Sequence, residues 1–160
     1  MTLPARRIRR LGAVLAGLGL ALAAGRVLAD ASPYVPGLGE IMSLQQMRHA
    51  KLWLAGSRGN WALADYEVDE LREGFDDALS QHPTHDGVPV GAMIQSLTPG
   101  PLAAIGKAIE AKNAADFAKA FDSLTDACNT CHRGAKHGFI RIRRPAASAF
   151  GNQDFAPSPK

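Results

Sequence analysis

Apolar side chains recur every three to four residues along several stretches between residues 38 and 131, the spacing of helices with one buried face. The first helix is predicted over residues 38–56, and Gly56 provides its stop signal. One face of this helix carries Leu38, Ile41, Met42, His49, Leu52 and Trp53. Met47, Ala50 and Leu54 fall on or towards the opposite face.

A second helix is predicted to begin after Asn60, a favourable N-cap residue, and to end before Pro83. Its apolar positions are Trp61, Ala64, Val68, Leu71, Phe75 and Ala78. The other face holds seven acids against the single base Arg72: Asp65, Glu67, Asp69, Glu70, Glu73, Asp76 and Asp77. We expect this acidic face to be solvated.

Two further helices are predicted after the loop of residues 82–91, whose composition is typical of a turn. A short apolar piece holds Met93, Ile94 and Leu97, and residues 98–101 open the third helix. Its stripe is Leu102, Ile105 and Ile109. Asn113, with Asp116 three residues on, resembles a capping box at the start of the fourth helix. The stripe of this last helix is Phe117, Phe121, Leu124, Cys128 and Cys131.

Four amphipathic helices without any strand pattern predict an all-α fold, specifically a four-helix bundle over residues 30–144. The composition agrees, because aromatic residues make up only 6% of the chain and alanine is abundant. Residues 145–160 are rich in alanine, serine and proline, and we predict a flexible tail there.

The N-terminal residues 1–29 have the pattern of a secretory signal peptide. Five arginines occur there and no acid, and the uncharged apolar run LGAVLAGLGLALAA spans 11–24. Small or aliphatic residues at 27–29 suit cleavage after Ala29. The alternative is an uncleaved membrane anchor, although the run is shorter than the ~20 residues that span a bilayer. We therefore expect a periplasmic protein with no membrane span after cleavage.

Cleavage would reverse the sign of the net charge. The whole chain has 18 lysines and arginines against 15 acids, a net charge of +3. Because five arginines and no acid lie in 1–29, residues 30–160 carry a net charge of −2. The basic balance belongs to the export signal, and we predict no nucleic-acid binding.

The motif that carries chemistry is Cys128-Asn129-Thr130-Cys131-His132, a C-x-x-C-H sequence typical of covalent haem attachment. On a helix, positions 128, 131 and 132 share one face, so two thiols and an imidazole can meet one porphyrin. These two cysteines are the only ones in the chain. We predict one haem c, with Cys128 and Cys131 as thioethers and His132 as the proximal iron ligand.

Two other interpretations of the cysteines stay open. A zinc site could combine them with His82 and His85, although this leaves His132 without a role. A redox dithiol would usually accompany a βαβ pattern, and none is visible.

With its haem motif on the last predicted helix and an exported N-terminus, the chain resembles the class II c-type cytochromes, the cytochrome c′ family. The resemblance covers residues 38–140. It implies haem held between the first and last helices of a four-helix bundle, and frequent homodimers.

The residue opposite His132 decides the chemistry, and the resemblance implies that the first helix supplies it. An axial methionine gives a low-spin electron carrier, whereas an open position suits NO or CO binding. His49 and Met42 share the apolar face and are the candidate sixth ligands; Met47 points away. His137, five residues past His132, is a further possibility on the proximal side.

The function predicted from these features is single-electron transfer between redox partners, with a gas-binding haem protein as the alternative. We predict no enzyme, because the chain has no catalytic triad, phosphate loop or dinucleotide motif. A redox partner could dock on the acidic residues 65–77 or on a basic stretch, residues 133–144. The bases of that stretch are Arg133, Lys136, Arg141, Arg143 and Arg144.

Overall fold

A computed structural model of the protein describes residues 33–159, which form five α-helices and no β-strand. The helices are α1 (Leu38–Gly56), α2 (Trp61–Gln81), α3 (Val90–Leu97), α4 (Pro99–Glu110) and α5 (Ala114–Gly134). The prediction of an all-α fold is therefore confirmed for this part of the chain. The short apolar piece around Met93 is a two-turn helix of its own, α3. None of these helices is both long enough and apolar enough to cross a membrane. The predicted signal peptide, 1–29, lies outside the described residues.

Asparagine side chains begin both of the long helices that were predicted to start with them. Asn60 Oδ1 accepts a hydrogen bond from the Leu63 N–H at 3.3 Å. Asn113 Oδ1 accepts from the N–H groups of Ala115 and Asp116, at 3.0 and 3.1 Å. The Nδ2 group of Asn113 donates a hydrogen bond to the carboxylate of Asp116 at 2.7 Å, and this bond holds the capping side chain in place. These bonds satisfy backbone donors that the first turn leaves free.

The helices pack as two hairpins with α3 between them. α1 and α2 are joined by residues 57–60 and lie along each other, as do α4 and α5, joined by 111–113. α3 contacts α2, α4 and α5, and α1 contacts α5. The core holds the stripes predicted from the sequence. Its largest fully buried side chains are Phe117, Phe121, Leu52, Leu71, Ile105, Leu124 and Val68.

Small residues allow the close approach of helices at two places. Gly56 ends α1 against the ring of Phe117, and a Cβ atom at position 56 would overlap that ring. Gly74 of α2 faces the side chains of Gln45 and Arg48 on α1 in the same way. Gln45 uses this space to donate to the carbonyl of Leu71 at 2.7 Å. α1 and α2 are therefore joined by a buried hydrogen bond as well as by apolar contacts.

The C-terminal residues 145–159 pack against α1, which differs from the flexible tail that we predicted. Phe155 is only 3% exposed, and Asn60 Nδ2 donates to the Ala156 carbonyl at 2.9 Å. Phe150 lies beside Met47 and Leu54 on the second face of α1. Leu54 is therefore buried as well, 3% exposed, although the helical period placed it away from the core. Since α1 is apolar on both faces, each face needs a cover.

Glu67 also departs from the predicted pattern, because this acid of α2 is 3% exposed rather than solvated. Burial raises the pKa of its carboxyl above the usual value, and the neighbouring charge of Lys51 opposes that rise. The other acids of α2 are exposed or half-buried. The acidic surface of α2 is thus smaller than the sequence count suggests.

The packing of the tail predicts a cost for removing its buried ring. Phe155→Ala should lower the free energy of unfolding by about 3 kcal/mol, since a buried phenylalanine leaves a cavity when truncated. Phe139→Ala is the matched control; that ring is 79% exposed, and its loss should change stability by less than about 0.5 kcal/mol. Urea unfolding measures both. Equal stabilities of the two variants would contradict the packing of the tail.

Candidate functional site

A cavity of about 260 Å³ lies among α1, α2, α3 and the last turns of α5. With its open mouth included, the empty space amounts to about 1350 Å³. Cys128, Cys131 and His132 all line this cavity, so the structure brings together the three residues of the predicted haem motif. Much of the remaining wall is apolar: Leu38, Met42, Leu71, Phe75, Val90, Ile94 and Leu124.

Both cysteines are half-buried and neither forms a disulfide. Burial raises the pKa of Cys128 to about 12, with a smaller contribution from the charge of Cys131. Burial also raises the pKa of Cys131. Both thiols are therefore protonated at neutral pH. Thiol–disulfide exchange and metal binding use the thiolate, which this environment disfavours.

His132 is held in a defined tautomer by the chain that follows α5. Its Nδ1 lies 3.0 Å from the carbonyl oxygen of Ile140. Because a carbonyl only accepts, Nδ1 carries the proton and Nε2 keeps its lone pair. A histidine that ligates a metal through Nε2 has this arrangement, with the second nitrogen bonded to a backbone carbonyl.

Asn129, a variable position of the motif, pairs with the same returning chain. Its Nδ2 donates to the Ile142 carbonyl at 2.9 Å, and its Oδ1 accepts from the Ile142 N–H at 2.8 Å. Neither Asn129 nor Ile140 was singled out from the sequence. The partners are eight to thirteen residues apart along the chain, and no periodicity marks a contact of that kind.

His49 lines the cavity but is already engaged in a hydrogen bond. Its Nε2 lies 2.9 Å from Thr125 Oγ1, whose hydroxyl donates to the Phe121 carbonyl at 2.9 Å. The Nε2 atom therefore carries the proton and donates to Thr125. The ring packs 4.3 Å from that of Phe121, between centroids, and is 3% exposed. Burial lowers the pKa of His49 from 6.5 to about 4, so the ring is neutral at pH 7.

Met42 lines the same cavity, half-buried against the core, and its thioether needs no hydrogen bond. Met47 lies beside the C-terminal tail, on the side of α1 that was predicted to point away. His137 also borders the cavity, with Nδ1 donating to the Ala135 carbonyl at 2.8 Å. Two candidate sixth ligands, Met42 and His49, thus border the cavity together with His132.

The zinc interpretation finds no assembled site between residues 33 and 159, where no three His, Cys, Asp or Glu side chains meet as potential metal ligands. His82 Nε2 is bonded to the Pro36 carbonyl at 2.8 Å, in a half-buried position. His85 is exposed at the mouth of the cavity, and its ring lies 6.4 Å from that of His82. The two histidines therefore form no ligand set with the cysteines.

Comparison with known proteins finds no matching family model, no similar curated protein and no similar solved structure.

Burial of His49 predicts a stability change on acidification. In the unfolded chain His49 has its ordinary pKa of 6.5, whereas the folded pKa is about 4. Between these values the unfolded chain binds a proton that the folded chain excludes, so this contribution is complete above pH 6.5 and falls as the pH drops. Below pH 4 about 3 kcal/mol has been lost.

His49→Gln removes this titration while keeping a polar side chain. Urea unfolding at a series of pH values should show a smaller loss between pH 6.5 and 4 in the variant than in the natural chain. The comparison cancels the titration of the surface carboxylates, which both proteins share. Parallel curves for the two proteins would contradict the assignment.

Proposed function

We propose that the protein is a periplasmic mono-haem c-type cytochrome that carries single electrons. The observation that supports this most directly is the convergence of Cys128, Cys131 and His132 on one apolar cavity, with His132 Nε2 free to bind a metal. When bound, the haem would supply a reversible Fe(II)/Fe(III) couple. No substrate is turned over in this proposal.

The residues around the cavity suit the group in three ways. The thiols of Cys128 and Cys131 are protonated, which is the form whose S–H adds across a vinyl group to give a thioether. His132 offers Nε2 as the proximal ligand, because Nδ1 is occupied by Ile140. Apolar side chains of α1, α2 and α3 would limit the access of water and lower the local dielectric constant, and both influence the reduction potential of a bound haem.

We propose a four-helix bundle made of α1, α2, α4 and α5, with the haem on α5. α3 would then be part of the connection between the two hairpins. Residues 1–29 would export the chain and be removed. Export would bring the cysteines to the compartment in which bacteria attach haem c.

Met42 is the sixth ligand that we propose. Ligation through His49 Nε2 would require breaking its bond to Thr125 and leaving that hydroxyl without its buried donor, so only the lone pair of His49 Nδ1 could bind a metal with that bond kept. Ligation through Met42 breaks no hydrogen bond, and its unbranched thioether side chain is flexible. A methionine–histidine pair favours a raised potential, which suits an electron carrier.

Covalent attachment is tested by producing the full chain in a bacterium that attaches haem in its periplasm. The protein should keep haem on a denaturing gel. Cys128→Ala together with Cys131→Ala should abolish the haem stain. His82→Ala with His85→Ala is the matched control and should leave it unchanged. Absence of covalent haem from the natural chain would overturn the proposed function.

Optical spectra of the same preparations identify the sixth ligand. Met42→Leu should convert a six-coordinate low-spin spectrum into a high-spin ferrous form that takes up CO. Met47→Leu, on the opposite side of α1, and His49→Gln should both keep the low-spin bands. Loss of those bands only in His49→Gln would assign the ligand to His49. A natural chain that is already high-spin and binds CO would favour the gas-binding alternative.

For partner docking we propose the basic surface formed by Arg133, Lys136, Arg141 and Arg143. All four side chains are exposed, and none forms an ion pair with a described acid. Phe139, 79% exposed, lies among them in the sequence. On the acidic side, Arg48 pairs with Glu70, Arg72 pairs with Asp69 and Glu67 is buried. Four acids of α2 nevertheless stay exposed and without an ion pair to a described base, so the two surfaces carry equal unpaired charge. We choose the basic surface because it adjoins His132 in the chain, and such a surface would attract an acidic redox partner.

Small redox reagents of opposite charge test this surface. Arg141→Glu with Arg143→Glu should slow electron exchange with anionic hexacyanoferrate about fivefold at low ionic strength, because attraction becomes repulsion. Exchange with cationic hexaamminecobalt should become faster. Asp76→Lys with Asp77→Lys changes the net charge by the same size in the opposite direction, and the change it causes in either exchange rate should be smaller. Equal effects of both double variants would contradict the basic docking surface.

A further inference from the structure

The residues after α5 form a strap, residues 137–144, that turns back along the helix. Lys136 adopts a left-handed backbone conformation, φ 63°, which ends the helix, and the His137 N–H donates to the His132 carbonyl at 2.7 Å. A turn closed by the Ile140 N–H on the His137 carbonyl, 2.9 Å, reverses the chain. The strap is therefore built around the histidine of the haem motif.

Two side chains of α5 hold the strap in place. Asn129 contacts both backbone groups of Ile142, as donor and acceptor, in the manner of a paired strand residue. Farther along, Arg144 forms a two-point ion pair with Asp122, with both distances 2.7 Å. Its guanidinium also lies 4.1 Å from the centre of the Trp53 ring. Ile140 lies between the turn and these attachments.

The position of the Ile140 carbonyl follows from this arrangement. The turn at His137 fixes one side of Ile140, and Asn129 fixes the chain two residues further on. Ile140 is 41% exposed, so packing alone does not hold it. The bond from His132 Nδ1 to that carbonyl therefore depends on the pairing of Asn129 with Ile142.

We propose that Asn129 is a positioning residue: by fixing the strap it places the Ile140 carbonyl on His132 Nδ1 and so sets the ligand strength of His132. This inference rests on the proposed function. A hydrogen bond at Nδ1 makes Nε2 a stronger donor to a metal, which favours Fe(III) over Fe(II). The natural chain would then have a lower reduction potential than a chain with a loose strap.

Thr130 provides the matched comparison, because it is the other variable position of the same motif. Its hydroxyl accepts from Arg133 at 2.9 Å and has no bond to the strap. Both Asn129→Ala and Thr130→Ala keep the cysteines and His132 intact. A general effect of altering the motif would appear in both variants.

The experiment uses the full chain with its haem and two measurements. Hydrogen exchange at the Ile142 amide should become about tenfold faster in Asn129→Ala, since it loses its acceptor. The reduction potential should shift to a more positive value. Asn129→Asp keeps an acceptor for the Ile142 N–H but loses the donor, and should give an intermediate rate of Ile142 exchange. Thr130→Ala should change neither measurement.

The outcomes distinguish a failure of this inference from a failure of the proposed function. Absence of covalent haem overturns the proposed function and this inference with it. A haem-loaded Asn129→Ala protein with unchanged Ile142 exchange overturns the strap. Faster exchange with an unchanged potential, or equal potential shifts in both alanine variants, overturns the positioning role and leaves the proposed function intact.

Discussion

The contact between α1 and α5 around Phe121 is the constraint on which the site depends. The Phe121 ring is completely buried and lies 4.3 Å from the ring of His49 and 5.0 Å from that of Trp53. Its carbonyl accepts the hydroxyl of Thr125, which in turn accepts from His49. This contact fixes the register of the two helices, so Met42 and the cysteines border one cavity. A rotation of α1 would break a polar bond and an aromatic contact together.

The helices follow from the sequence because local chemistry sets them. Asn60 and Asn113 cap helices where expected, and the predicted stripes of α2 and α5 are largely buried. The packing of the tail and the burial of Glu67 were not predicted, because they depend on tertiary contacts. The second face of α1 is exposed to solvent or covered by protein depending on where residues 145–159 pack. The spacing of apolar residues within α1 does not indicate this.

The candidate site likewise has features that the sequence predicts and features that depend on tertiary contacts. Cys128, Cys131 and His132 were placed together by their spacing on one helix, since that geometry is local. The choice between Met42 and His49 was left open, because both share a helical face; our proposal of Met42 uses the bond from His49 to Thr125, 76 residues away, which the helical period does not indicate. Asn129 was missed because its partner Ile142 is reached only after the chain reverses.

The basic residues near His132 have three distinct physical settings. The last carbonyls of α5 give its C-terminus a partial negative charge, so cations at Arg133 and Lys136 stabilise the helix end. Arg144 is committed to Asp122 and Trp53 and belongs to the strap. Arg141 and Arg143 have neither role: they are exposed, at the part of the strap that orients His132. If the strap sets the ligand strength of His132 as we propose, a partner that contacts these two arginines would touch that same segment, and docking and potential would be coupled through one short piece of chain.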